Sequence, residues 1–164
     1  MRPIDRGAAA GLEVGLARPI ALDVLGFLVN LFFEPVQMRK TVIDCGNCDP
    51  DHHAIRSFIE SKFDAKVIRT QALADTLDAL GKSPADLILV NRKLDVDYSD
   101  GIEVIKEIKR RPELANIPAM LITNYEEYQQ AALADGAVIG FGKKTMRDPS
   151  TVQTLTQFLG EPVA

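Results

Sequence analysis

From residue 41 onward, short aliphatic runs alternate with stretches whose apolar residues recur at helical spacing, and few folds can accommodate that alternation. Residues 41–46 (TVIDCG) are rich in β-branched side chains and predict a first strand. Asp49-Pro50 predicts a helix start, with Asp as N-cap and Pro at the first helical position. Ile55, Phe58, Ile59 and Phe63 give that helix one apolar stripe. Residues 65–69 predict a second strand. Residues 72–80 predict a second helix carrying Leu73, Leu77 and Leu80, with Gly81 after its end. Residues 87–90 are uninterruptedly apolar, as a strand covered on both faces should be.

The pattern continues with a third helix over 101–111, stopped by Arg111-Pro112. A fourth strand over 119–123, a fourth helix over 125–134 and a short fifth strand over 138–141 follow. Asp148-Pro149 then opens a last helix bearing Val152, Leu155, Phe158 and Leu159. Five βα units imply a parallel sheet with right-handed crossovers and helices on both faces. The expected architecture is an α/β, flavodoxin-like (βα)5 three-layer sandwich with five strands ordered 2-1-3-4-5. Ligands in such sheets sit beyond the carboxyl ends of the strands. The residues to watch are therefore 47–49, 91–100, Thr123-Asn124 and 142–144.

Composition narrows the function classes. The chain has 164 residues, which fits one domain. Its net charge is −4, without the basic surplus of a nucleic-acid module. Two cysteines make no disulfide scaffold. The first 37 residues do not share the alternating pattern. Residues 19–33 are nearly all apolar but carry Asp23, Gly26 and Asn30. At 15 residues the run is shorter than the roughly 20 needed to span a bilayer. Arg2, Arg6 and Arg18 resemble the basic region of a signal peptide, yet no A-x-A site follows. The division expected is an extension over 1–37, outside the fold, and one domain over 38–164, with Met38 as a candidate natural start.

Residues 40–160 resemble the receiver domain of bacterial response regulators, the phosphoryl-accepting module of two-component signalling. Asp49-Pro50 looks like the end of that family's acidic cluster and its Pro. The strand DLILVN, followed by a loop and Asp100-Gly101, looks like the acceptor strand and its Asp-Gly. Thr123 ends the fourth strand, where the family places Thr or Ser. Lys143 follows Gly136-Ala137 by seven residues from the Gly, matching the family Lys. The resemblance implies a phosphate-contact role for Thr123 and Lys143.

The acceptor chemistry departs from that pattern. A working receiver attacks phosphorus with an Asp, while Mg²⁺ offsets charge on the phosphoryl oxygens. Magnesium requires hard oxygen ligands, usually carboxylates. Here the acceptor position is Asn91, a neutral and poor nucleophile. After the first strand stand Asn47 and Cys48, and only Asp49 keeps a carboxylate, one position out of register. The loop from Asn91 to Asp100 is two residues longer than the family's, and the aromatic position before Lys143 is Gly140. Weak or absent Mg²⁺ binding, no cofactor and no enzymatic activity are expected. The simplest partner for Lys143 is Asp49.

Three other constellations stand in the sequence. Asp95 or Asp97 in the long loop would serve as a surrogate acceptor if either swung in, but phosphoryl transfer depends on position and a loop carboxylate offers little of it. Lys143, Lys144, Thr123 and the first turn of the Pro50 helix would form an anion site, although no Gly-rich phosphate loop is present. Cys45-Gly46-Asn47-Cys48 has the spacing of a thioredoxin-like dithiol at a strand–helix junction. His52 and His53 point about 100° apart on a helix and are expected on its solvated surface. The function expected is a stand-alone, cytoplasmic pseudo-receiver acting through a protein partner such as a histidine kinase or output protein, without nucleic acid or membrane. The family analogy implies a homodimer through the fourth helix, fifth strand and fifth helix.

Overall fold

A computed structural model describes residues 38–163. The extension over 1–37, with its apolar run, lies outside the described residues, which begin at Met38. Four parallel strands are present: β1 (Lys40–Cys45), β2 (Ala65–Thr70), β3 (Leu87–Asn91) and β4 (Ala119–Ile122). They are ordered β2-β1-β3-β4. Five α-helices connect and follow them: α1 (Asp49–Lys62), α2 (Leu73–Lys82), α3 (Gly101–Lys109), α4 (Glu126–Ala134) and α5 (Pro149–Leu159). Among the described residues no helix is long and apolar enough to cross a membrane.

The alternation of each strand builds two cores. Val42, Leu87, Leu89, Met120 and Ile122 face α1 and α5, meeting Ile55, Phe58, Ile59, Leu155 and Leu159. Ile43, Cys45, Ile88, Val90 and Leu121 face the other side, meeting Val104, Ile105 and Ile108 of α3 and Ala132 of α4. Burying such aliphatic side chains contributes about 1.5–3 kcal/mol each. The three-layer, flavodoxin-like arrangement follows from this two-sided burial.

The expected fifth strand is reduced to a single bridge between Met120 and Val138. The cause is Gln129 of α4, whose buried side chain is inserted between β4 and the segment 138–141. Its Nε2 donates to the Leu121 carbonyl at 3.1 Å, and its Oε1 accepts from the Gly140 N–H at 3.2 Å. In a parallel ladder those two backbone groups would bond each other. Beyond the insertion, the Thr123 N–H donates to the Phe141 carbonyl. The segment still runs beside β4, but an amide side chain replaces one rung.

The start of α1 also differs. Cys48 is the N-cap, so Asp49 is the first helical residue and Pro50 the second. The Asp148-Pro149 start of α5 falls as expected.

Candidate functional site

Gly46 ends β1 in the left-handed region, φ +76°, which favours a residue without Cβ. A Cβ there would meet Leu94 Cδ2 at 2.3 Å. This close approach lets the long loop after Asn91 fold back over the end of β1, with Leu94 buried against it. The loop is ordered by backbone pairing. Leu94 N–H donates to the Ser99 carbonyl, Gly101 N–H to the Arg92 carbonyl, and Asp95 N–H to the Gly46 carbonyl. Lys93 and Asp100 form an antiparallel bridge and an ion pair at 2.8 Å.

Asn91 sits at the junction. Its Nδ2 donates to the Gly46 carbonyl at 3.2 Å and to the Lys93 carbonyl at 2.5 Å. The amide thus ties the β1–α1 turn to the β3–α3 loop. A carboxylate in this place has no hydrogen to donate and would face two carbonyl oxygens. Gly101 permits the contact behind it, since a Cβ there would lie 1.9 Å from the Asn91 carbonyl oxygen.

The β1–α1 turn carries more carboxylates than the single Asp49 expected from sequence. Asp44, on the α1 face of β1, is fully buried. One of its oxygens accepts from Asn47 Nδ2 at 2.7 Å, and the other lies 2.6 Å from His52 Nδ1. His52 is therefore buried against the sheet and not on a solvated surface, while its neighbour His53 is exposed. Asp49 points outward to Arg69, which also donates to the Asn47 carbonyl. Asp51 takes the role expected of Asp49, with Lys143 Nζ 2.5 Å from its Oδ2. Cys48 Sγ donates to the same oxygen at 3.3 Å. Burial alone would push the Asp51 carboxyl up. Hydrogen bonds from Lys143 and Cys48, with the lysine's charge, outweigh it and hold the group below its ordinary value.

Thr123 ends β4 nearly buried, its Oγ1 accepting the Tyr125 N–H at 3.2 Å. Asn91, Arg92, Lys93, Thr123, Asn124 and Lys143 line one depression of ≈ 220 Å³. The structure therefore brings Asn91, Thr123 and Lys143 to one depression. Asn47, Cys48 and Asp49 do not line that depression. Lys144 is exposed, with its backbone N–H on Asn124 Oδ1, whereas Lys143 lines the depression.

The alternative constellations take other places. Asp95 and Asp97 are exposed and absent from the depression, and Asp97 accepts from Ser99 N–H and Oγ. Cys45 and Cys48 are free thiols. Cys45 faces the core beneath α2, and burial pushes its thiol up despite hydrogen bonds with Thr76 and Thr70. Among the described residues no group of three or more His, Cys, Asp or Glu side chains is placed to hold a metal ion.

Sequence reasoning missed Asp44, His52, Asp51 and Arg92. Asp44 was legible as a charge at an inward position of β1, and Asp51 as the residue one turn from Cys48. Arg92 carried no local signal. Its guanidinium lies 5.5 Å from the Tyr125 ring and 4.8 Å from the Tyr128 ring.

No protein-family profile and no curated protein sequence matches the chain. Solved structures do match it. Vibrio cholerae chemotaxis protein CheY4 aligns with 73% of this chain and 98% of its own, at 18% identity and a TM-score of 0.59. The Mn²⁺-bound form of response regulator Rcp1 aligns with 76% of this chain and 97% of its own, at 22% identity and a TM-score of 0.58. NtrX from Brucella abortus has a TM-score of 0.62 at 15% identity; the match covers 74% of this chain but 27% of NtrX. The fold is that of response regulator receiver domains.

Proposed function

We propose that residues 38–164 form a pseudo-receiver: a signalling domain of the two-component type that acts by docking to a protein partner and not by accepting a phosphoryl group. One observation carries the reading. The Asn91 side chain is used as an N–H donor to two backbone carbonyls, a task that an acceptor carboxylate cannot perform. The arrangement around it supports the same conclusion. Asp44, Asp49 and Asp51 each face a cationic or imidazole partner within the protein, leaving none of them to line the depression. A site so arranged offers Mg²⁺ few free hard oxygens.

On this reading the protein is not an enzyme and works in the cytoplasm. Its docking surface includes Tyr125 and Tyr128, both exposed beside Arg92, and Ile139 on the neighbouring segment. These residues lie where the family analogy places a homodimer or output contact, around α4, the segment 138–141 and α5. A histidine kinase or an output protein is the partner class that fits. The test adds beryllofluoride with Mg²⁺, or a small phosphodonor, and follows intact mass and the amide resonances of Asn91, Thr123 and Lys143. Unchanged mass and no saturable, Mg²⁺-dependent shift are expected. A mass gain of one phosphoryl group, on Asp95, Asp97 or elsewhere, would replace this reading by a receiver that uses a surrogate acceptor.

A further inference from the structure

We propose that a cleft between α3 and α4 binds a small monocarboxylate with an apolar body, of the arylacetate class. The proposal goes beyond the docking role and does not rest on it. Ala131 and Ala132 put two small side chains in succession on α4. Ala132 is buried in the core that α3 shares, and Ala131 lines a cleft of ≈ 280 Å³. Ile102 of α3, Leu121 of β4 and Tyr128 of α4 give it further apolar walls. An apolar cavity of about 150 Å³ is enough to bind benzene, so this cleft has room for one ring and a short polar arm. Asn91, Thr123 and Lys143 do not line it, which separates it from the strand-end depression.

The polar end of the cleft sets the charge of the ligand. Arg92, Lys93 and Asp100 border it. Lys93 Nζ and Asp100 Oδ1 pair at 2.8 Å, which leaves Arg92 as the unbalanced charge. The Arg92 backbone is held on both sides, its N–H donating to the Ile122 carbonyl and its carbonyl accepting from the Gly101 N–H. Among the described residues its guanidinium has no ion pair and no hydrogen bond, and it lies over the Tyr125 and Tyr128 rings. Stacking on an aromatic face keeps the charge and leaves the N–H groups in the guanidinium plane open. A carboxylate accepts such a fork with both oxygens. One net positive charge beside apolar walls selects a monoanion with a hydrophobic body, while Asp100 repels a second negative charge.

The labelled full chain would be titrated with phenylacetate, phenylacetamide and acetate, at constant pH and ionic strength, while amide shifts are followed. Saturable phenylacetate shifts at Arg92, Ile102, Leu121, Tyr128 and Ala131 are expected, with a Kd of about 1 mM. Phenylacetamide keeps the shape without the charge, and acetate keeps the charge without the ring. Each should bind at least about tenfold more weakly. Arg92→Gln should weaken phenylacetate binding about tenfold. Ala131→Leu fills the cleft from an exposed helix position that accepts leucine, and should abolish saturation with the rest of the spectrum unchanged. Equal affinities for phenylacetate and phenylacetamide, or in the native chain and Arg92→Gln, would overturn carboxylate recognition. Saturation that survives Ala131→Leu, or none by about 20 mM phenylacetate, would overturn the site itself.

Discussion

The two sides of the strand-end depression handle charge in opposite ways. On the β1–α1 side, every carboxylate is turned to a partner: Asp44 to His52, Asp49 to Arg69 and Asp51 to Lys143. On the β3–β4 side, Arg92 lies over the Tyr125 and Tyr128 rings with no ion pair among the described residues, and Thr123 keeps a free hydroxyl hydrogen. On the pseudo-receiver reading proposed above, an acidic site is silenced without losing its acids. The carboxylates stay near the turn, but pairing them within the protein removes the open negative charge that would attract a divalent cation.

The largest test of the acidic side is His52→Ala. It leaves a fully buried carboxylate with one amide donor, and breaking a buried pair of this kind costs about 3–5 kcal/mol. Urea unfolding measures it, and a loss below about 1 kcal/mol would mean that His52 does not hold Asp44. Asn91→Asp comes next, because it removes two donors and brings a charge against two carbonyls. A loss of about 2 kcal/mol is expected, without gain of a stable phosphoryl adduct in the intact mass.

Gln129→Ala tests the scaffold of the cationic side. It strips partners from the Leu121 carbonyl and the Gly140 N–H, at a cost of about 1–2 kcal/mol. Faster hydrogen exchange at Gly140, with Val138 still protected by the Ala119 carbonyl, would locate the effect at the missing rung. Equal exchange at both would show that the segment does not depend on Gln129.

Asp51→Asn has the smallest effect. The folded protein holds this carboxyl below its ordinary value, so its contribution is present above the unfolded pKa and fades as pH falls through the folded one. The pair is about one-third exposed, which limits the contribution to about 1 kcal/mol or less. Stability curves of the two proteins should differ at neutral pH and converge in acid. A gap that persists below pH of about 2 would assign the effect to packing.

Much of the fold was legible in the sequence because strand period and helix period are separately encoded. Ile88 and Leu89 face opposite cores, as an uninterrupted apolar strand requires, and Ile105 and Ile108 share one helix face. The fifth strand was misread because its local pattern is adequate and the disruption comes from Gln129, a residue of another element. Asn91, Thr123 and Lys143 were legible as a group because chain order places them at adjacent strand ends. Partner choice was not. Asp49 and Asp51 are the same residue type two positions apart, and the Cys48 N-cap sets which one turns inward. His52 similarly depends on the facing of β1, where an odd-numbered acid would have met α2 instead.

Paramagnetic Mn²⁺ reports most directly on whether the β1–α1 side still attracts a divalent cation. Trace Mn²⁺ added to the labelled full chain should broaden no amide resonance selectively around Cys48, Asp51 and Asn91. Any broadening should follow the exposed acids of the surface. Selective loss of signals from 46–51 and Asn91, reversed by Mg²⁺, would show an open acidic site there and contradict the internal pairing of its carboxylates.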